Sequence, residues 1–304
     1  MLHTGLYEQL INKLLRQELS ASERKLIQST AIDQEEAPRI LSKYMAEVLE
    51  AALSNVKDRG GSIGDQVSLA NRIVELISHH SAEDRLRELS IDEKAELLLA
   101  LLDKGNSIFA FNEKAEIVRP VTSLAASSLF TGAVHEPSMY AELKREILSS
   151  DRIDMLVSFI KWSGLRLLME ELENFTQRGG KLRVITTSYM GATDVKAIEE
   201  LAALANTEIK ISYDTKRTRL HAKTYVFYRR TGFTTAYIGS SNLSNAALSS
   251  GLEWNVKVTA KDLPDTINKI EATFESYWHA REFETYESAQ RFAAGRAERL
   301  SDGS

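Results

Sequence analysis

Between residues 153 and 213 the chain alternates short apolar runs with amphipathic ones, and this order constrains the fold more than any other feature. Ile153–Ile160 reads as a strand, and Gly164–Gln177 as a helix stopped by Gly179-Gly180. Leu182–Thr187 reads as a strand, Thr193–Ala205 as a helix and Glu208–Tyr213 as a strand. Strands joined through helices run parallel, because a tight turn can only reverse the chain. The β-α-β-α-β order therefore predicts a parallel or mixed sheet with helices packed on its faces. Three more strand-like runs follow at Leu220–Tyr228, Thr234–Ile238 and Leu252–Val258. Ser138–Leu148, after Pro137, reads as a helix ahead of the alternation, and Leu263–Ala280 and Tyr286–Leu300 read as helices after it.

The first third has a different texture. Apolar residues recur there at helical spacing, from Met1 to Glu18, from Ile32 to Val56 and from Val67 to Ile77. Ser20-Ala21-Ser22-Glu23 and Ser90-Ile91-Asp92-Glu93 have capping-box spacing, the second predicting a helix over Lys94–Leu102. His79-His80 are adjacent, a poor arrangement for chelation because neighbours do not share a helix face. The expected organisation is α/β: a helical domain over 1–105, a mixed sheet flanked by helices over 106–281, and a C-terminal helix or linker over 282–304.

Composition narrows the chemistry. The 304 residues contain no cysteine, which excludes disulfide scaffolds, thiolate metal sites and cysteine nucleophiles. A net charge of -5 excludes a globally basic nucleic-acid binder but leaves room for a local basic patch. The longest apolar run, Leu97–Leu102, is far short of the roughly 20 residues that span a bilayer. With no signal-peptide core at the N-terminus, a cytoplasmic location is expected.

Chemistry-bearing residues concentrate between Arg219 and Glu253. His221 and Lys223 are two apart in a strand-like run, so alternation puts them on one face. Gly239-Ser240-Ser241-Asn242 follows at a strand end, ahead of a short helical stretch at Asn245–Ser250, and Glu253 lies eleven residues beyond Asn242. An imidazole can attack phosphorus or protonate a leaving oxygen. An ammonium and an amide can hold non-bridging phosphate oxygens. A Gly-Ser turn before a helix offers backbone N–H groups to an anion, and a carboxylate behind a histidine can orient it. Glu253 between Leu252 and Trp254 is expected to need a cationic partner, and Trp254 to pack on the opposite face. No carboxylate cluster suited to a metal stands near the motif, so neither metal nor cofactor is expected.

These residues resemble the signature of the phospholipase D-like superfamily: His221 and Lys223, Ser240 and Asn242, then Glu253. The signature's aspartate, five residues after the lysine, is Tyr228 in this chain. A wider likeness, carried by Arg183–Asp194 and Gly251–Asn255, is to the nuclease domain at the N-terminus of bacterial superfamily II helicases. The resemblance implies a mixed sheet and a metal-independent phosphodiesterase that cleaves nucleic acid through a phosphohistidine on His221. In it Lys223, Asn242 and Glu253 complete the catalytic set, and Gly239, Ser240 and Ser241 help to hold phosphate.

With one His-x-Lys per chain, the resemblance implies a homodimer in which a second His221 serves as the acid, or else a second histidine of the same chain such as His135 or His279. Lys216, Arg217 and Arg219, with Arg229 and Arg230, are the expected nucleic-acid contacts, to DNA more than RNA. The expected partners are therefore nucleic acid, a second copy and either a helicase module in a longer polypeptide or, for a stand-alone relative, none in the same chain, with no membrane. Ser158, Lys161 and Ser163 are further candidates at the end of the first strand, with Ser163 also placed to cap the following helix. The alternative is a non-hydrolytic module that binds nucleic-acid phosphates and targets a linked helicase.

Overall fold

The computed structural model describes residues 3–21, 26–81, 84–101, 117–133, 135–188, 193–213, 220–244 and 253–287. The chain divides into two compact units, Met1–Ser107 and Ile108–Ser304.

The first unit is helical. It contains α1 (Lys13–Ser20), α2 (Ala37–Asp58), α3 (Ile63–Ser81) and a 3-10 turn at Asp84–Leu89. Pro38 sits in the first turn of α2, where its missing N–H has no intrahelical partner to lose. Ser62 and Asp65 exchange hydrogen bonds that cap the start of α3. Leu10 and Ile11, expected inside a helix, precede α1, and Ser20 ends that helix rather than opening the next. The helix expected from Lys94 does not form over 94–101. Asp92 instead closes a turn, accepting from the Lys94 N–H at 3.0 Å while Ala95 takes a positive φ of 51°. A side chain that bonds its own backbone offers an alternative to the helix.

The second unit is built on one sheet with strand order β1-β7-β6-β5-β2-β3-β4-β8. The strands are β1 (Ser128–Phe130), β2 (Arg152–Val157), β3 (Lys181–Thr187), β4 (Thr207–Ser212), β5 (Lys223–Tyr228), β6 (Thr235–Gly239), β7 (Asn255–Thr259) and β8 (Phe283–Thr285). Strands β2, β3 and β4 pair in parallel; every other pairing is antiparallel. This is the mixed sheet expected from the alternation.

The helices are α4 (Met139–Leu148), α5 (Trp162–Leu165), α6 (Met169–Gln177), α7 (Val195–Ala203) and α8 (Pro264–His279). Ser138 caps α4, accepting from Ala141 N–H. The run expected as one helix over 164–177 is split into α5 and α6. One core joins α4, α5, α6 and α7 to the sheet through Leu143, Ile147, Leu165, Leu172, Phe175 and Leu201. Phe274, Trp278 and Ile267 of α8 pack against Leu156, Ile185, Val226 and Ala236. Central strands covered on both faces are mostly apolar, and residues 153–157 are all buried, the one charged side chain among them, Asp154, paired with Arg183 of β3.

From residue 282 a helix or linker was expected, but the chain there forms β8, hydrogen-bonded to β4 as the sheet's edge. Phe283 is buried against Trp278, an apolar contact that the short run Phe283-Glu284-Thr285 does not advertise. The helix expected over 286–300 falls beyond 287 and outside the described residues, as does the stretch at 245–250.

Candidate functional site

The site forms where β5 begins. Lys223 is its first residue, and its side chain is buried, with the whole residue 5% exposed. The ammonium donates to the His221 carbonyl at 2.8 Å and to Ser158 Oγ at 3.3 Å. It also lies 3.3 Å from His221 Nδ1 and 3.4 Å from Nε2, so it faces the imidazole ring. The structure thus brings His221 and Lys223 together as alternation required, although His221 precedes the strand and is exposed. Burial pushes the Lys223 ammonium below its usual value, and the charge of Glu253 opposes that drop. Among the described residues no carboxylate forms an ion pair with Lys223, so an anion can satisfy this buried cation.

Ser158, one residue past the end of β2, is the support beneath Lys223. It is buried and donates to the Ala222 carbonyl at 3.4 Å while accepting from the ammonium. Asn242 arrives from the other side, its Oδ1 accepting the Phe159 N–H at 3.4 Å. Its segment is tied down by a bridge between Ile160 and Leu243, with Lys161 N–H donating to Leu243 O at 2.8 Å. Gly164 permits this approach: a Cβ there would lie 2.5 Å from the Ser244 backbone. Gly239 has the same reason to be glycine, since its Cβ would meet the Trp254 carbonyl at 2.2 Å.

Ser240 and Ser241 serve the scaffold in this structure. Ser240 N–H donates to Trp254 O at 3.1 Å, so it is not directed at an anion, and its Oγ accepts the Trp254 N–H at 3.2 Å. Ser241 Oγ accepts from Asn255 Nδ2 at 2.8 Å, and its carbonyl accepts from the buried Tyr225 hydroxyl. Glu253 precedes β7 instead of lying inside it, and no hydrogen bond joins it to His221. Its influence is felt through charge, on Lys223 and on Tyr225. Trp254, expected to pack, is 64% exposed.

Other expected residues lie elsewhere. Arg229 is buried at the far end of β5, where it pairs with Glu146 at 2.5 Å and donates to Ser149 Oγ at 2.7 Å. Its charge is spent inside the fold, which corrects its assignment to a nucleic-acid contact. Arg230 is exposed but sits at that same remote end, its N–H bound to Asp151 Oδ2. Six residues of strand put this end about 20 Å from Lys223. Tyr228 shares it, with the Arg152 guanidinium 3.6 Å above its ring, so the departure from the motif does not touch the His221–Lys223 pair. Lys161 pairs with Asp194 at 3.0 Å, and it, not Ser163, is the N-cap of α5. Lys216, Arg217 and Arg219 lie outside the described residues.

Sequence reasoning missed the buried polar cluster under α4. Lys257, fully buried, contacts Glu142 at 3.4 Å and Glu146 at 2.9 Å, and Tyr237 donates to Glu146 at 2.9 Å. Burial pushes the Glu146 carboxyl up, but Arg229 and Lys257 outweigh it and hold it below its usual value. The only signal in the sequence was a lysine alternating with apolar residues in Val256-Lys257-Val258.

Residues 143–278 match the protein family described as cardiolipin synthase, PLD-like domain. This part of the chain is a phospholipase D-like domain. Among solved structures, NucT from Helicobacter pylori is 18% identical, over 50% of this chain and 94% of that one, with a TM-score of 0.39. Nuc from Salmonella typhimurium, a phospholipase D family member, is 20% identical, over 54% of this chain and all of that one, with a TM-score of 0.41. No curated protein matches the sequence.

Proposed function

We propose that this chain is a phosphodiesterase that cleaves nucleic acid through a phosphohistidine on His221. The observation that supports it most is the buried Lys223 ammonium, which faces the exposed imidazole and has no carboxylate partner among the described residues. A phosphate diester carries the charge this cation lacks, and placing it there sets phosphorus beside the ring. A ring nitrogen attacks phosphorus, the P–O bond to the leaving nucleoside breaks, and a second histidine protonates the departing oxygen. Water then attacks the phosphohistidine, releasing a phosphate monoester and free His221. Lys223 and the Asn242 amide hold the non-bridging oxygens, with Ser240 and Ser241 shaping the turn. Glu253 balances the charge around Lys223. None of these steps needs a metal or cofactor.

The second histidine is the His221 of another copy, which makes the working unit a homodimer. DNA is the favoured substrate, and the module serves a helicase in the same longer polypeptide, a reading that rests on the sequence likeness. The test is cleavage of single- and double-stranded DNA and RNA with chelator present, using His221→Ala as control. Cleavage by the wild type that persists with chelator and vanishes in the variant supports the reading. Loss of wild-type activity on chelation overturns it. Phosphate binding without cleavage would favour the non-hydrolytic module.

A further inference from the structure

The turn after β2 carries an aromatic residue that the core does not use. Val157 and Ile160 are fully buried in the main core, whereas Phe159 between them is half-buried and belongs to none of the three apolar clusters. Its ring stacks on no other aromatic ring among the described residues. Its backbone, however, is part of the site. The Phe159 N–H is 3.4 Å from Asn242 Oδ1, and the preceding residue, Ser158, accepts from the Lys223 ammonium at 3.3 Å. The two side chains assigned to the non-bridging oxygens are therefore bonded to Phe159 itself and to its chain neighbour, about 3.8 Å away between Cα atoms. That backbone is held on both sides. The Ser158 carbonyl accepts from Thr186 Oγ1 at 3.4 Å, and Ile160 bridges to Leu243. A ring on a fixed backbone has only two torsions to lose, so it offers contact area at low entropic cost.

We propose that Phe159 is a nucleobase-stacking residue, which takes a base next to the phosphate held by Lys223 and Asn242. The proposal rests on the reading of the site as a nucleic-acid phosphodiesterase and adds what the substrate must present. A base can lie on the ring only if the face it would turn to its neighbour is free, so the proposal selects single-stranded or locally unpaired nucleic acid. The competing role for Phe159 is to shield its own bond to Asn242 from water. Shielding needs an apolar side chain of about this size, whereas stacking needs the flat face of a ring, so leucine at this position separates the two.

The test is cleavage of two strands of equal length, oligothymidylate and a stable sugar-phosphate strand lacking bases, by wild type, F159A, F159L and F159W, read as kcat/KM. None of these substitutions removes the N–H that bonds Asn242. F159A and F159L should each lower kcat/KM on oligothymidylate by roughly 5- to 150-fold, the range of a lost base–aromatic stack. Both should leave the base-free strand at its wild-type value, and F159W should keep most of the activity on oligothymidylate. F159L at the wild-type value on both strands overturns the stacking role and makes the ring a shield. Equal losses on both strands overturn it as well. If F159A fails to fold, judged by its thermal transition, F159L and F159W decide. If the wild type cleaves neither strand, the nucleic-acid reading fails and the stacking role falls with it. If it cleaves both and no variant changes either value, only the stacking role fails.

Discussion

Strand β5 is flanked by a buried cation at each end, and the two are treated differently. At its far end Arg229 meets a carboxylate directly, with Glu146 2.5 Å away and Lys257 on the same carboxyl group. At its start Lys223 meets a carbonyl, a hydroxyl and an imidazole, and no carboxylate within ion-pair reach among the described residues. Both cations lost water on folding, and a buried charge costs several kcal/mol unless it is compensated. Arg229 is compensated by the protein itself. Lys223 is only solvated by dipoles, so an anion arriving from outside has the most to gain there. Burial of a cation alone does not mark a site; burial without a counter-charge does.

The comparison breaks if substitutions at the two ends behave alike. His221→Ala and Lys223→Ala should each lower turnover by at least about 10³-fold, as loss of a nucleophile or of its charge partner does. Both should keep the fold, checked by circular dichroism and Tm; unchanged turnover in either would remove the site. Arg229→Ala should do the reverse, destabilising by about 3–5 kcal/mol because Glu146 is left buried without it. Turnover per folded molecule should survive, and denaturant unfolding beside the cleavage assay separates the two effects.

Ser158→Ala tests whether Lys223 depends on its hydroxyl support. A hydrogen bond to a charged group contributes about 1.5–3 kcal/mol, so turnover should fall roughly 10- to 100-fold with little change in Tm. A fall in Tm with turnover intact would make Ser158 structural.

Acid should act at the Arg229 end. Glu146 is held below the ordinary glutamate value of 4.5, so the stability it contributes is intact above that pH and lost as pH falls through its folded value. Glu146→Gln should start less stable and lose stability less steeply below that pH, by about one proton in the slope. Equal slopes would assign the acid transition to other carboxylates.

The smallest effect is expected from Tyr228→Asp, which restores the motif's aspartate. The position is at the Arg229 end, under Arg152, so turnover should stay within about twofold, as for sites that share no partner. A large gain would mean that the two ends of β5 communicate.

Much of this was legible in the sequence because it is periodic or local. The alternation of apolar runs gave β2, β3 and β4 with their crossovers, and the two-residue period set Lys223 beside His221. Asn242 was singled out by the spacing of its motif, and the fold brings its amide to the Phe159 N–H, next to Ser158. Other features depend on what a residue meets across the fold. Arg229 looked like a free surface arginine because its partner Glu146 is 83 residues away, on α4. Trp254 looked like packing because an apolar neighbourhood in sequence does not say whether a helix covers that corner of the sheet. Glu253 looked like the carboxylate behind the histidine, yet β7 starts two residues later and leaves it acting through charge.

The sequence by itself determined the order of strands and helices from α4 to α8, apart from the split of α5 from α6, and the set of residue types able to handle a phosphate diester. Those follow from backbone periodicity and side-chain chemistry, which each residue carries wherever it goes. Only the tertiary structure decided which cation is neutralised and which is left for an anion, and which apolar face stays open. Compensation of a buried charge is a property of pairs, and the pairs are made by the packing of α4 and α8 on the sheet.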